Sequence, residues 1–145
     1  MPTPSPIRIF RPRIARIYAL AIGSVMMLAM TVMAIILPYP QFAISDRVGF
    51  LILGAIISWF CWRQASVCVK AEPDRVTVRN LFSTTRLEWA QIVDLTFMEG
   101  APWATANLNT GDTLSLMAFQ RTDGARGIAE AKEFQALLYE KSDPA

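Results

Sequence analysis

Residues 17–37 read IYALAIGSVMMLAMTVMAIIL, an uncharged stretch that decides the architecture of this chain. As an α-helix it would be about 31 Å long, close to the hydrocarbon thickness of a bilayer. Pro38 and Pro40 follow it and disfavour continuation of the helix. The stretch therefore predicts one transmembrane helix that ends before a turn.

A second apolar run covers residues 48–62. At about 22 Å it is short for a transmembrane helix. It reaches a spanning length by continuing past Arg63 toward Val67, with the Arg63 side chain extended to the interface. We therefore expect a two-helix transmembrane hairpin within residues 17–65.

The composition supports a membrane protein and excludes several kinds of site. Of 145 residues, 53% are hydrophobic and only 18% are charged. Histidine is absent, and the two cysteines, Cys61 and Cys68, have a spacing that suits neither a redox pair nor a zinc site. We predict no catalytic residues, no metal and no cofactor, and we expect both thiols to be small apolar fillers.

Charge predicts the orientation of the hairpin. Basic residues precede the first apolar run and follow the second, whereas Arg47 is alone between them; the flanking residues are Arg8, Arg11, Arg13, Arg16, Arg63, Lys70 and Arg75. By the positive-inside rule both termini are cytoplasmic. We therefore expect residues 1–16 to be a basic cytoplasmic N-terminus and the protein to be a multi-pass protein of the cell membrane.

Two alternatives bear on this hairpin. An Arg-rich start before an apolar stretch also resembles a signal peptide, but the best cleavage site, Gln41-Phe42-Ala43, lacks the required small residue. Small residues recur every fourth position, at Ala15, Ala19 and Gly23 and again at Gly54 and Ser58. Such strips pack the hairpin on itself or, as the alternative, a second copy of the chain.

From residue 66 the pattern changes to short alternating runs typical of strands. Two hairpins and about six strands are expected, with turns at 72–75 and 109–112, the inner residues of the last hairpin being Ala104, Ala106, Leu108, Leu114 and Leu116. We expect Val93, Leu95 and Phe97 to line one inner face. Residues 66–145 should thus fold as one domain.

The end of the chain predicts a helix. Asp123 is placed to cap it, and one apolar stripe is expected along Ile128, Ala131, Phe134 and Leu138. The predicted fold class is therefore a membrane α-hairpin plus an α+β domain, in which strands form a small barrel closed by a C-terminal helix.

Residues 76–80, then 85–87, then Trp89 ahead of Gln91 and Ile92, resemble the signature of bacterial PH-like domains. With the two apolar runs in front, the whole layout is similar to the actinobacterial low-molecular-weight protein antigen family of PH-domain membrane proteins. The resemblance implies a split β-barrel capped by a helix. It carries over no catalytic residue, and a fold alone does not convey lipid binding.

Lys70, Arg79 and Arg86 are the candidate ligand-facing residues. Lipid-binding relatives in the wider superfamily use a lysine on the first strand and paired basic residues on the second, but here Thr77 stands where the partner of Arg79 should be. After Lys70 the chain has seven Lys and Arg against eleven Asp and Glu. This acidic balance disfavours a phosphoinositide-type lipid and nucleic acid as ligands.

Two functional hypotheses follow from the sequence. The first is a non-enzymatic membrane protein whose PH-like domain acts at the cytoplasmic face as a protein-interaction or scaffolding module, with a protein partner or self-association. The alternative is a lipid or small-ligand sensor at the inner leaflet. Trp103 is either a core residue or an exposed anchor for a partner, and we expect the core.

Overall fold

In a computed structural model, residues 6–142 are described, and they form two compact units. One unit is Arg16–Ala65; the other combines Met1–Ala15 with Ser66–Ala145. Residues 1–5 of the predicted N-terminal segment and residues 143–145 of the predicted C-terminal domain lie outside the described residues. The two units are described in turn.

Two long apolar helices make up most of the first unit. Helix α1 is Ile14–Ile36 and helix α2 is Ile44–Ala65, so α2 starts earlier than the apolar run 48–62 and does continue past Arg63. Its early start has a local cause, because the Asp46 carboxylate accepts a hydrogen bond from the Ala43 N–H at 2.8 Å. Both helices are long and apolar enough to cross a membrane, and most of their large apolar side chains are exposed.

Small residues on each helix lie against the other helix. A Cβ atom added at Gly23 of α1 would lie 2.9 Å from the Cβ of Cys61, and one added at Gly54 of α2 would lie 3.0 Å from the Cβ of Met30. The Ser58 hydroxyl donates to the Gly23 carbonyl at 3.4 Å. The predicted strips therefore pack the hairpin on itself.

Arg47 closes the turn of this hairpin. Its guanidinium donates to the carbonyls of Ala34 at 2.7 Å, Ile35 at 3.3 Å and Leu37 at 2.7 Å. These carbonyls lie at the C-terminal end of α1, where an α-helix leaves its last acceptors without intrahelical donors. Arg47, the lone basic residue between the two apolar runs, thus satisfies the last carbonyls of α1.

The second unit consists of two antiparallel sheets and one helix. The first sheet has the order β1-β2-β3-β4, and the second has the order β5-β6-β7. The strands are β1 (Arg8–Phe10), β2 (Cys68–Ala71), β3 (Arg75–Arg79), β4 (Thr84–Glu88), β5 (Ile92–Thr96), β6 (Trp103–Leu108) and β7 (Thr113–Gln120). Short 3-10 helices at Trp89–Gln91 and Arg121–Asp123 precede β5 and helix α3 (Gly124–Ser142). Both predicted hairpins are confirmed.

Strand β1 is the largest departure from the predicted organisation, in which residues 1–16 are a separate basic segment. It pairs antiparallel with β2, and Phe10 lies opposite Val69. The Phe10 ring is 3% exposed and lies 5.4 Å from the ring of Phe119 and 5.8 Å from that of Phe134, between centroids. One buried aromatic residue in a basic stretch produces no hydrophobic periodicity, so the sequence does not predict this strand. The partners of Phe10 come together only in the folded sheet.

Two predicted apolar faces need correction. A register shift between Ile92 and Asp94 in the pairing of β5 with β6 turns Val93 outward, so Ile92 is buried while Val93 is exposed. On α3 the buried stripe runs through Gly127, Ala131, Phe134 and Leu138, whereas Ile128 is exposed. Gly127 replaces Ile128 because a Cβ there would lie 2.6 Å from the Gln120 carbonyl oxygen, which leaves no room for a larger residue.

Asp123 also differs from its predicted role as the cap of α3. Its carboxylate accepts hydrogen bonds from the backbone N–H groups of Arg13 at 3.0 Å and Ile14 at 2.9 Å. Ile14 is the first residue of α1, so Asp123 satisfies donors at the start of a different helix, more than a hundred residues away in sequence. The pattern of residues along the sequence does not reveal a hydrogen-bond partner so distant in the chain.

Candidate functional site

The candidate basic residues lie on the outer face of the first sheet. Lys70 on β2 is directly opposite Thr77 on β3, and Thr77 is opposite Arg86 on β4. Because side chains alternate across a strand, these three share the face turned away from the core residues Val69, Val76 and Val78. Lys70 and Arg86 are therefore separated by one strand.

Arg79 lies on the same face one row further along. It ends β3, opposite Cys68 on one side and Thr84 on the other. It is thus a diagonal neighbour of Arg86, at about 7–8 Å between backbones. The fold therefore brings all three predicted basic residues to one face of the first sheet.

Carboxylates lie among the basic residues of this face. The Thr77 hydroxyl, in the middle of the row, donates to the Glu72 carboxylate at 3.0 Å. At the start of β3, the Arg75 guanidinium donates a hydrogen bond to the Asp74 carboxylate at 3.2 Å. This hydrogen bond lowers the pKa of the Asp74 carboxyl. In the part of the chain that the structure describes, the side chains of Lys70, Arg79 and Arg86 have no hydrogen-bonded or ion-paired partner.

A second candidate site is an apolar groove between β5 and α3. It has a volume of about 350 Å³ and is lined by Leu95, Phe97, Arg121, Ile128, Ala131, Lys132 and Gln135. Strand β5 is an edge strand, because only β6 pairs with it among the described strands. The groove therefore offers apolar surface beside a strand edge that can accept another strand.

Arg121 builds one wall of this groove. Its guanidinium donates to the carbonyls of Ala101 at 2.9 Å and Met98 at 2.8 Å, and it lies 5.6 Å from the centre of the Phe97 ring. These contacts hold the guanidinium charge beside the Phe97 ring, which is part of the apolar lining of the groove. Sequence analysis did not single out this residue in the groove, because its partners lie in a loop some twenty residues earlier.

Asn80 is a second residue whose role appears only in the structure. Its side-chain amide donates to the Ser115 carbonyl at 2.7 Å and accepts from the Met117 N–H at 3.3 Å. It is buried, and it ties the turn after β3 to β7 of the other sheet. A polar residue in a turn normally reads as solvent-facing, so the sequence contained no signal for this role.

Trp89 and Trp103 have different surroundings. The Trp89 ring is buried against Phe134, and its indole N–H donates to the Glu72 carbonyl at 2.9 Å. Trp103 is half-buried at the start of β6, so it is neither fully in the core nor an exposed anchor. Cys61 is half-buried and Cys68 is buried. Within residues 6–142 no group of His, Cys, Asp or Glu side chains could hold a metal ion.

Comparisons with known proteins agree with the fold of two sheets and a C-terminal helix. Residues 67–136 match the family model described as the bacterial PH domain. The chain is also 25% identical, over 97 residues, to uncharacterised proteins of Mycobacterium bovis and Mycobacterium tuberculosis. That alignment covers 67% of this chain and 63% of each relative, so the chain spans less than two thirds of the relatives' length. No solved structure matches the chain significantly.

The match begins at the residue before β2 and ends within α3, so it covers both sheets apart from β1. It confirms the resemblance of residues 76–92 to bacterial PH-like domains, and it suggests a non-catalytic module. The names of the relatives assign no function. Two antiparallel sheets and a C-terminal helix, together with the family match, identify residues 67–136 as a bacterial PH-like domain.

Proposed function

We propose that this protein is a non-enzymatic integral membrane protein that presents its PH-like domain at the cytoplasmic face as a protein-interaction module. The membrane placement is supported by α1 and α2, whose length and composition suit a bilayer and whose large apolar side chains are mostly exposed. The cytoplasmic orientation is supported by the basic residues that flank the hairpin.

The groove between β5 and α3 is the observation that carries the interaction role. An apolar groove beside an edge strand fits an extended segment of another protein, because the strand edge supplies hydrogen bonds and the groove takes alternate side chains. Arg121 and Lys132 lie on the lining. The chemistry therefore fits an apolar segment that carries a carboxylate. Tethering to the membrane raises the effective concentration for such a partner, so modest affinity suffices.

Site-specific photocross-linking in the full-length protein tests this proposal. A photoreactive amino acid at Gln135, in the groove, should cross-link one protein that mass spectrometry identifies reproducibly. The same amino acid at Asp112, in the exposed turn between β6 and β7, is the matched control and should not. Equal products from both positions, or none from either, would reject the groove as the interaction site.

A pair of helix variants sharpens the test. Ile128→Asp puts a charge into the groove, whereas Ala129→Asp puts one on the neighbouring exposed position of α3. The cross-linked product should disappear in the first variant and persist in the second. Retention of the product in both variants would show that the partner does not occupy the apolar surface.

A lipid or small-ligand sensor is the second candidate, and the basic face supports it. Lys70, Arg79 and Arg86 share one face and have no ion-paired partners within the described chain, so an anion could recruit them. Glycerol phosphate, a soluble lipid head group, is a suitable probe for the purified full-length protein. Calorimetric binding that is lost in Lys70→Ala with Arg86→Ala would support this candidate, and absence of binding at low salt would reject it.

A further inference from the structure

The groove between β5 and α3 has the charge of Arg121 at one of its ends. The guanidinium lies 5.6 Å from the centre of the ring of Phe97, the residue that follows β5. Helix α3 begins at Gly124, three residues after Arg121, so Ile128 is near this end of the groove. Gln135 lies about 10 Å further along the helix. The groove therefore runs from Gln135 toward Arg121, in the same direction as β5.

The free edge of β5 stops at the same end of the groove. Strand β5 ends at Thr96, and the chain turns soon afterwards, where the Ala101 N–H donates to the Met98 carbonyl at 3.0 Å. Arg121 holds this turn through its guanidinium, which donates to the same two residues' carbonyls. A segment that adds to the edge of β5 can therefore pair with it only as far as Thr96. Backbone pairing then ends beside the guanidinium.

The Arg121 guanidinium keeps donors for a further acceptor. A guanidinium has five N–H groups. Within the described chain, Nε and one Nη each donate to one carbonyl, so three N–H groups remain. The acidic residue of the adjoining turn, Glu99, is exposed and forms no ion pair with Arg121 in that part of the chain. A planar carboxylate is the acceptor that matches the remaining donors best.

The charges along the groove are unbalanced. Its lining contains two basic side chains and no carboxylate. The acidic residues on either side of Lys132 in α3 already have partners, because Glu130 pairs with Arg126 at 3.2 Å. Glu133 pairs with Arg8 of β1. Lys132 itself has no hydrogen-bonded or ion-paired partner among residues 6–142. An occupant that complements the lining is therefore apolar and carries a negative charge.

We propose that the groove binds the C-terminal residues of a partner protein, with the terminal carboxylate at Arg121. Apolar side chains of the segment then pack on Leu95, Phe97 and Ile128, and Lys132 lies beside the segment. Binding of a chain end rests on the proposed function, in which the groove takes an extended segment of another protein.

The strand edge favours a chain end over an internal acidic residue. A segment that ends beside Arg121 has no backbone groups left to pair beyond Thr96, and its carboxylate lies where the pairing stops. An internal segment has to continue past the turn 98–101, where β5 offers it no edge. The bound segment runs parallel to β5, because its last residue lies at the end where β5 itself ends.

Peptide selection against the full-length protein in detergent micelles tests the chain-end assignment. One random heptapeptide library carries free C-termini, and a second is fused at its C-terminus so that every peptide is internal. We expect selection from the first library only, with apolar residues at alternate positions near the C-terminus. Each selected peptide is then synthesised as the free acid and as the C-terminal amide. Fluorescence polarisation should give the acid an affinity at least about tenfold higher than that of the amide.

The two libraries separate the chain-end assignment from the function on which it rests. Internal peptides that bind, and that lose binding in Ile128→Asp, would overturn the chain end and keep the groove as an interaction site. Equal affinities of acid and amide would overturn the chain end as well. Peptides whose binding survives Ile128→Asp do not occupy the groove and would also overturn it. Selection from neither library would overturn both the chain end and the interaction role of the groove.

Charge variants test the role of Arg121. Arg121→Gln should abolish the difference between acid and amide, whereas loss of the turn that Arg121 holds would weaken both peptides alike and leave their affinity ratio unchanged. Arg121→Lys keeps the charge, so it should still bind the acid more tightly. Lys132→Gln should lower the ratio less, and Lys141→Gln, on the same helix outside the lining, is the matched control. An unchanged ratio in Arg121→Gln would overturn the assigned role.

Discussion

Asp123 and Arg47 illustrate how single charged side chains in this protein serve helix ends rather than a ligand. Asp123 accepts from two backbone N–H groups at the start of α1, and Arg47 donates to three carbonyls at its end. An α-helix has donors without partners at its N-terminus and acceptors without partners at its C-terminus. Each charge also has the sign that the helix dipole favours at that end.

Replacement of Asp123 by alanine should destabilise the unit that contains the PH-like domain. Two part-buried N–H groups lose a charged acceptor, which costs about 1.5–3 kcal/mol of the free energy of unfolding. The measurement is thermal unfolding of the full-length protein in detergent, followed by near-UV circular dichroism. Glu99→Ala, at an exposed position, is the control. Equal shifts of the midpoint in both variants would contradict the assigned role.

Arg47→Lys should weaken the helical hairpin although it keeps the charge. A lysine has no planar fork of donors and cannot reach three carbonyls in the same geometry. We expect a loss of about 1–3 kcal/mol, measured by SDS-induced unfolding of the protein in bicelles. An unaltered unfolding curve would show that water or lipid head groups satisfy these carbonyls equally well.

At the scale of the elements, close approach of α1 and α2 depends on glycine. A Cβ at Gly23 would lie 2.9 Å from the Cβ of Cys61, a distance that real Cβ contacts essentially never show. One at Gly54 would lie 3.0 Å from the Cβ of Met30. Gly49, also on α2, has nothing within 4 Å of its added Cβ.

Gly23→Ala should therefore separate the helices and destabilise the hairpin by about 1–3 kcal/mol in the same bicelle assay. Gly49→Ala should be neutral or slightly stabilising, because alanine favours the helix. If both substitutions have the same effect, the strip does not form the contact between α1 and α2. A change in oligomeric state without a change in stability would instead favour the alternative, packing between copies of the chain.

At the scale of the whole molecule, the chain leaves the domain and returns to it. It forms β1, passes through both apolar helices and then pairs β2 with β1. The domain is therefore closed by a strand from the other side of the hairpin in sequence. A fragment that begins at residue 66 lacks this strand and the ring of Phe10, so it is an incomplete version of the domain.

Phe10→Ala should measure the contribution of this strand. The ring packs on Phe119 and Phe134 in the core, and its loss should cost about 3–5 kcal/mol of the free energy of unfolding. Ile9→Ala, on the exposed face of the same strand, should change it by no more than about 0.5 kcal/mol. Urea unfolding monitored by tryptophan fluorescence compares the two. A small effect of Phe10→Ala would mean that β1 contributes little to the core.

The amino-acid sequence by itself predicted the elements with a long or regular pattern. The apolar run 17–37, the hairpin turns at 72–75 and 109–112, and the residues around Trp89 each carry a local signal, because helix length, turn chemistry and strand alternation are properties of neighbouring residues. The alternation of side chains along a strand also predicted that Lys70, Arg79 and Arg86 lie on one face of the sheet.

Only the tertiary structure decided the features that depend on partners distant in sequence. Phe10 joins the core because β2 lies beside it, Asp123 bonds to the start of α1 rather than α3, and Val93 turns outward at a register shift set by β6. The groove beside Arg121 also needs β5 and α3 together. Each of these is a long-range contact, whose energy depends on positions in space that no local pattern encodes.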